Sequence, residues 1–169
     1  MTVRELFSFP HPVNEVSARF VAAGVVLMTT ATIAFDEPWF IALIAYGFLA
    51  RVLTGPKLSP LGLFVTRVLV PALGNPSKMV AGPPKRFAQG MGFIITATAG
   101  VLALGFGQVG AAYVLLGMVA AAATLEAVFA FCLGCRIFAL LMRAKIIPER
   151  VCQDCADVWA RDRNTATQG

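Results

Sequence analysis

Long apolar runs separated by short polar breaks organise this chain. The first run, residues 17–35, is apolar apart from Arg19 and several threonines, and matches the ~20 residues that a bilayer core requires. Asp36-Glu37-Pro38 closes it in a tight turn. Pro38 suits the start of the next helix, where its missing N–H forfeits no helical bond. The second run, 39–53, is shorter. Trp39 is placed to anchor it at an interface, and Arg51 to snorkel out at its far end. The third run, 87–106, is rich in small residues such as Gly90, Gly92, Ala97 and Gly100, which let helix backbones approach closely in lipid. After a turn at 105–110, the fourth run, 111–142, reads as one long helix.

The remaining segments break these periods. Residues 1–16 hold Pro10 and Pro12 around His11, the only histidine, and read as an interfacial lead-in. The connection 54–87 is punctuated by prolines. Within it, residues 60–71 are apolar except Arg67, too short at ~1.5 Å per residue to cross a ~30 Å core, and predict an interfacial or re-entrant helix. Residues 144–169 form a polar tail, predicted to be helical from Pro148 onward. The expected fold is therefore all-α: a polytopic membrane protein with a four-transmembrane-helix bundle over residues 1–143, one short interfacial helix and a helical cytoplasmic tail.

Composition agrees with that reading. The chain is 58% hydrophobic and 14% charged. A soluble domain averages ~45–50% and ~25%. The net charge of +5 brings no aromatic-interleaved basic motif of the kind that binds nucleic acid. All 14 basic residues instead fall on one side of a four-span topology, and the turns at 36–38 and 105–110 have none. The positive-inside rule then puts both termini in the cytoplasm, and an inner-membrane protein is expected. On that face Lys78, Lys85 and Arg86 are expected to meet anionic lipid headgroups.

Candidate chemistry rests on two Cys-x-x-Cys pairs, Cys132/Cys135 and Cys152/Cys155, which use all four cysteines and have sixteen residues between them. Paired thiols support electron or sulfur transfer, with a nearby cation such as Arg136 favouring thiolate. A single helix through 111–142 opposes this, because it leaves Cys132 and Cys135 toward a C-terminal end whose partial negative charge disfavours thiolate. The alternative is a structural or partner-binding subunit with zinc or iron on the four sulfurs. Inert packing of the thiols is the third reading. Glu126, inside the fourth run, is costly in a membrane and marks either a structural ion pair, with Arg19 or Arg51, or proton or substrate handling, as in a small transporter. Being nine residues from Cys135, it is expected to face the other side of that helix.

Several strings together resemble one family: His11-Pro12-x-Asn14 with Arg19-Phe20, Gly74-Asn75-Pro76, Pro83-Pro84-Lys85-Arg86-Phe87-Ala88-Gln89, and Phe131-Cys132-Leu133-Gly134-Cys135. Over residues 10–143 the chain is similar to small bacterial membrane proteins grouped as domain of unknown function 4395, in the style of actinobacterial members. The resemblance implies a membrane location and a shared fold, without a mechanism. It also hints at a thioredoxin-like or sulfurtransferase partner in the cytoplasm. Cys152 and Cys155 lie beyond the resembling part.

Overall fold

The computed structural model describes residues 12–76, 78–148 and 151. Asn14 sets the start of the first helix. Its Oδ1 accepts the Val16 N–H at 3.0 Å and so caps helix α1 (Glu15–Ala34). Its Nδ2 donates to the Pro76 carbonyl at 2.9 Å. Strand β1 (Val13–Asn14) pairs antiparallel with β2 (Met79–Val80), Val13 opposite Val80. This two-stranded ribbon was not foreseen. Beside it, the Asn14–Pro76 bond joins two strings of the family resemblance that stand more than sixty residues apart.

Helix α2 (Phe40–Thr54) ends at Gly55, whose positive φ of 66° turns the chain into a short 3-10 segment, Gly55–Lys57. Helix α3 (60–72) starts on Pro60, with Ser59 Oγ accepting the Gly62 N–H at 3.3 Å. Pro71 lies inside α3, where its ring would press on the carbonyl four residues back. A π-helical turn over Val65–Leu69 precedes it, and the widened turn makes room. Helix α4 (Gly82–Gly105) starts on two prolines and ends in a second π-helical turn, Val101–Gly105. Helices α5 (Val109–Phe129) and α6 (Leu133–Arg143) follow.

Four stretches are long and apolar enough to cross a membrane: Glu15–Ala34, Phe40–Ala72, Gly82–Gly105 and Val109–Phe129. The second is interrupted between α2 and α3. The most extensive packing joins α2 to α4 and α1 to α5, with α4 also against α5 and α6. The core gathers Val25, Ile41, Ile44, Phe48, Ala99, Leu116 and Val119. Leu27, Phe35, Ile94, Val114 and Phe129 point outward, as side chains facing lipid would. Buried threonines need no outside partner: Thr29, Thr32, Thr54 and Thr96 donate to carbonyls one turn back, at 2.7–2.9 Å.

The fourth run departs from expectation. It is two helices instead of one. Ala130 takes a left-handed conformation, φ 55°, and the Ala130 and Phe131 N–H groups both turn back to the Leu125 carbonyl. Cys132 then starts α6. Nothing in the composition around residue 130 marks this stop, because an alanine fills a position usually given to glycine. The tail beyond Val151, with Cys152 and Cys155, lies outside the described residues, as does His11.

Helix α6 is held on α4 by a close approach. A Cβ at Gly134 would stand 2.5 Å from the Ala88 Cβ and 2.6 Å from its Cα. Backbone cannot yield that much, so Gly134→Ala is expected to lift α6 and to cost about 1–3 kcal/mol. Thermal unfolding in detergent would show a lower midpoint. An unchanged midpoint would mean that α6 is not seated on α4.

Candidate functional site: a thiol pair beside a buried ion pair

The string that opens α4 makes contacts almost residue by residue. Lys85 forms an ion pair with Glu126 of α5. Arg86 Nε donates to the Val52 carbonyl at 3.0 Å. The Phe87 ring stands 5.6 Å from the Phe138 ring of α6, and Ala88 is the floor under Gly134. Gln89 Oε1 accepts from Arg51 Nε at 2.8 Å. The two strings with the strongest family resemblance, one opening α4 and the other opening α6, are therefore two sides of one contact.

The charged residues around this contact have definite places, and several differ from expectation. Glu126 pairs with Lys85, not with Arg19 or Arg51. Arg19 is spent on the end of α5: its Nε and Nη2 donate to the Ala127 carbonyl at 3.0 and 2.9 Å, and Nη2 to Val128 at 3.1 Å. These carbonyls are among those a helix end leaves without internal partners, and a cation there also suits the dipole. Arg51 does not snorkel. It is only 6% exposed, folds inward to Gln89 and to Ser59 Oγ at 3.2 Å, and lies 4.6 Å from the centre of the Phe48 ring. Lys85, expected at the headgroups, has a side chain only 10% exposed, and that of Glu126 is 14% exposed.

Lys85 was missed as a site residue because a lysine three positions into a helix at a membrane edge reads as surface charge. The signal was the double proline before it. Two prolines fix the first turn of α4, and hence the direction in which its third and fourth residues project.

The break at Ala130 reverses the electrostatics expected at the thiols. Cys132 is the N-cap of α6 and Cys135 lies in its first turn. They therefore face the positive end of a helix dipole, not the negative end of a longer helix. The turn also brings them round to the ion pair. Both thiols feel the charges of Lys85 and Glu126, so the separation expected between Cys135 and Glu126 does not hold.

Both cysteines are free thiols and are hydrogen-bonded to each other. The Cys135 S–H donates to Cys132 Sγ and holds the Cys132 thiol below its ordinary range; Lys85 acts in the same sense, while burial and Glu126 oppose it. The Cys135 backbone N–H adds to that pull without closing a full capping bond. Cys135 is pushed well up, first because its proton is held in the bond to Cys132 and then by burial. One sulfur is thus biased toward thiolate and its neighbour toward thiol. Cys132 is 8% exposed and Cys135 more so, and exposed Phe131 and Leu133 flank the pair. Arg136 turns away to stack 5.1 Å from the centre of the Phe131 ring.

Among the described residues no three His, Cys, Asp or Glu side chains converge as metal ligands. A four-sulfur centre would need Cys152 and Cys155, which lie outside them.

Comparison with curated proteins and with solved structures gives no match. A family profile does match, over residues 13–143, from β1 to the last residue of α6. That span is well over half of the chain and contains the ribbon, the four long apolar stretches and the Cys132/Cys135 pair, and the protein belongs to the family described as Domain of unknown function (DUF4395).

Proposed function

We propose that the protein is a membrane-bound thiol protein that passes electrons or sulfur to a partner through Cys132 and Cys135. One observation carries this reading: a Cys-x-x-Cys pair at the N-terminus of a helix, with Cys132 accepting a hydrogen bond from Cys135 beside a buried lysine. A helix N-terminus and a neighbouring cation are the two features that make a thiol nucleophilic. In the exchange, the Cys132 thiolate attacks a sulfur of the partner's disulfide and releases the other as thiolate. Cys135 then gives up its proton, attacks Cys132 Sγ and displaces the second partner sulfur. The pair ends as a disulfide and the partner as a dithiol, with two electrons transferred. We place the protein in the bacterial inner membrane with both termini in the cytoplasm, because its basic residues cluster at one end of the spans. A thioredoxin-like protein or a sulfurtransferase then has access to α6 from the cytoplasm.

The thiolate assignment has a spectroscopic test that does not depend on reagent access. Thiolate absorbs near the far ultraviolet edge, and the difference between wild type and Cys132→Ser isolates one sulfur. A lowered thiol pKa means that thiolate survives to lower pH. The difference signal is expected to persist below the ordinary midpoint of about 8.5 and to fade only on further acidification. A midpoint at or above the ordinary thiol range would count against Cys132 as the attacking group.

A further inference from the structure

A cavity of about 290 Å³ lies between β1, α1, the α2–α3 connection and the start of α4. Its walls are apolar, with Ala18, Val21 and Pro56 among them, and it is also lined by Arg51, Lys85 and Gln89. The charges there do not balance. Arg51 is more than nine-tenths buried, and its two hydrogen-bonded side-chain partners, Gln89 Oε1 and Ser59 Oγ, are neutral. It makes no ion pair among the described residues. The nearby carboxylate, Glu126, is paired with Lys85. Two buried cations therefore share one anion, and buried charges need pairing. Guanidinium is also the side chain best shaped to bind carboxylate or phosphate oxygens.

We propose that this cavity binds an amphiphile with an anionic head group, the head group held by Arg51 with Lys85 and the apolar body against Ala18, Val21 and Pro56. The site goes beyond the thiol reading and does not depend on it. The shared chemistry is a phosphate or carboxylate on an apolar chain, whether from a bilayer lipid or from a soluble amphiphile.

Native mass spectrometry of the full chain in uncharged detergent tests this with octyl phosphate as the probe. One octyl phosphate per chain is expected, and octyl glucoside, with the same tail and no charge, should not replace it. Arg51→Gln and Ala18→Leu should each weaken binding by about tenfold or more, equivalent to about 1.4 kcal/mol. Ala18→Leu narrows the cavity where the apolar body would lie and leaves every charge and thiol in place, so the test survives if Arg51→Gln fails to fold. Cys132→Ser should bind as wild type does, which separates this site from the thiol chemistry. Displacement of the probe by phosphatidylglycerol but not by phosphatidylcholine would support the site with a lipid as its source. Displacement by neither would support it with a soluble amphiphile. Equal binding of octyl glucoside, or undiminished binding to Ala18→Leu, would overturn the proposal.

Discussion

Cys135→Ser is expected to trap glutathione on Cys132 as a stable mixed disulfide, and Cys132→Ser to abolish that adduct at either position of the pair. The first change removes the sulfur that would resolve the intermediate. The second removes the sulfur that forms it. Serine does not ionise near neutral pH, so the loss at Cys132 is complete instead of graded. The adduct would be read by peptide mapping after exposure of the full chain to oxidised glutathione, with Cys152 and Cys155 mapped separately. The asymmetry follows from the hydrogen bond between the sulfurs, in which Cys135 gives and Cys132 receives. Because Cys132 is 8% exposed, attack requires the first turn of α6 to open slightly, between exposed Phe131 and Leu133. Equal adducts on Cys132 in Cys135→Ser and on Cys135 in Cys132→Ser would remove the distinction between attacking and resolving thiols.

Glu126→Gln is expected to be the most destabilising single change at the site, by about 3–5 kcal/mol, the range found when one partner of a buried pair is removed. It leaves Lys85 buried without its carboxylate, and Arg51 without the negative charge it shares. Lys85→Met should cost less. It leaves Glu126 still facing Arg51, so one cation remains for one anion. The double variant Lys85→Met/Glu126→Gln should regain only part of the loss, because no unpaired lysine is then left buried while Arg51 still lacks the carboxylate. The thiols report on the same charges in opposite directions. Removing Glu126 lowers the Cys132 pKa further, and removing Lys85 raises it. Unfolding midpoints in detergent, measured for all three variants, would check the order. A Glu126→Gln protein as stable as wild type would mean that the pair is not buried as described.

Much of the fold was legible because membrane helices are written in plain apolar runs. The limits of α2 fell within a residue of expectation, and α3 starts at Pro60 as expected and runs one residue past Pro71. The ribbon was not legible, since Val13–Asn14 and Met79–Val80 are too short for a strand period to show. The site was legible in its parts and not in its assembly. Cys132, Cys135, Glu126 and Arg51 all stood out as residues. Their grouping depends on a left-handed alanine that turns the chain at 130, and on a lysine whose burial only its partner 41 residues away explains. Had Ala130 been glycine, the stop would have been readable, and with it the position of Cys132 at the start of a helix. Gly134 carried no structural signal in the sequence beyond its place in the Phe131-Cys132-Leu133-Gly134-Cys135 string. Its actual role is to let α6 lie against Ala88.

The central claim is that Cys132 and Cys135 form a reversible dithiol–disulfide couple. The most direct measurement equilibrates the full chain, in detergent, with glutathione buffers of graded potential, then quantifies the Cys132–Cys135 disulfide by peptide mapping. The account predicts a single reversible two-electron transition confined to this pair, reached equally from the oxidised and the reduced side and absent in Cys132→Ser. Thiols that remain reduced across the whole range, or that pair only with Cys152 or Cys155, would contradict it.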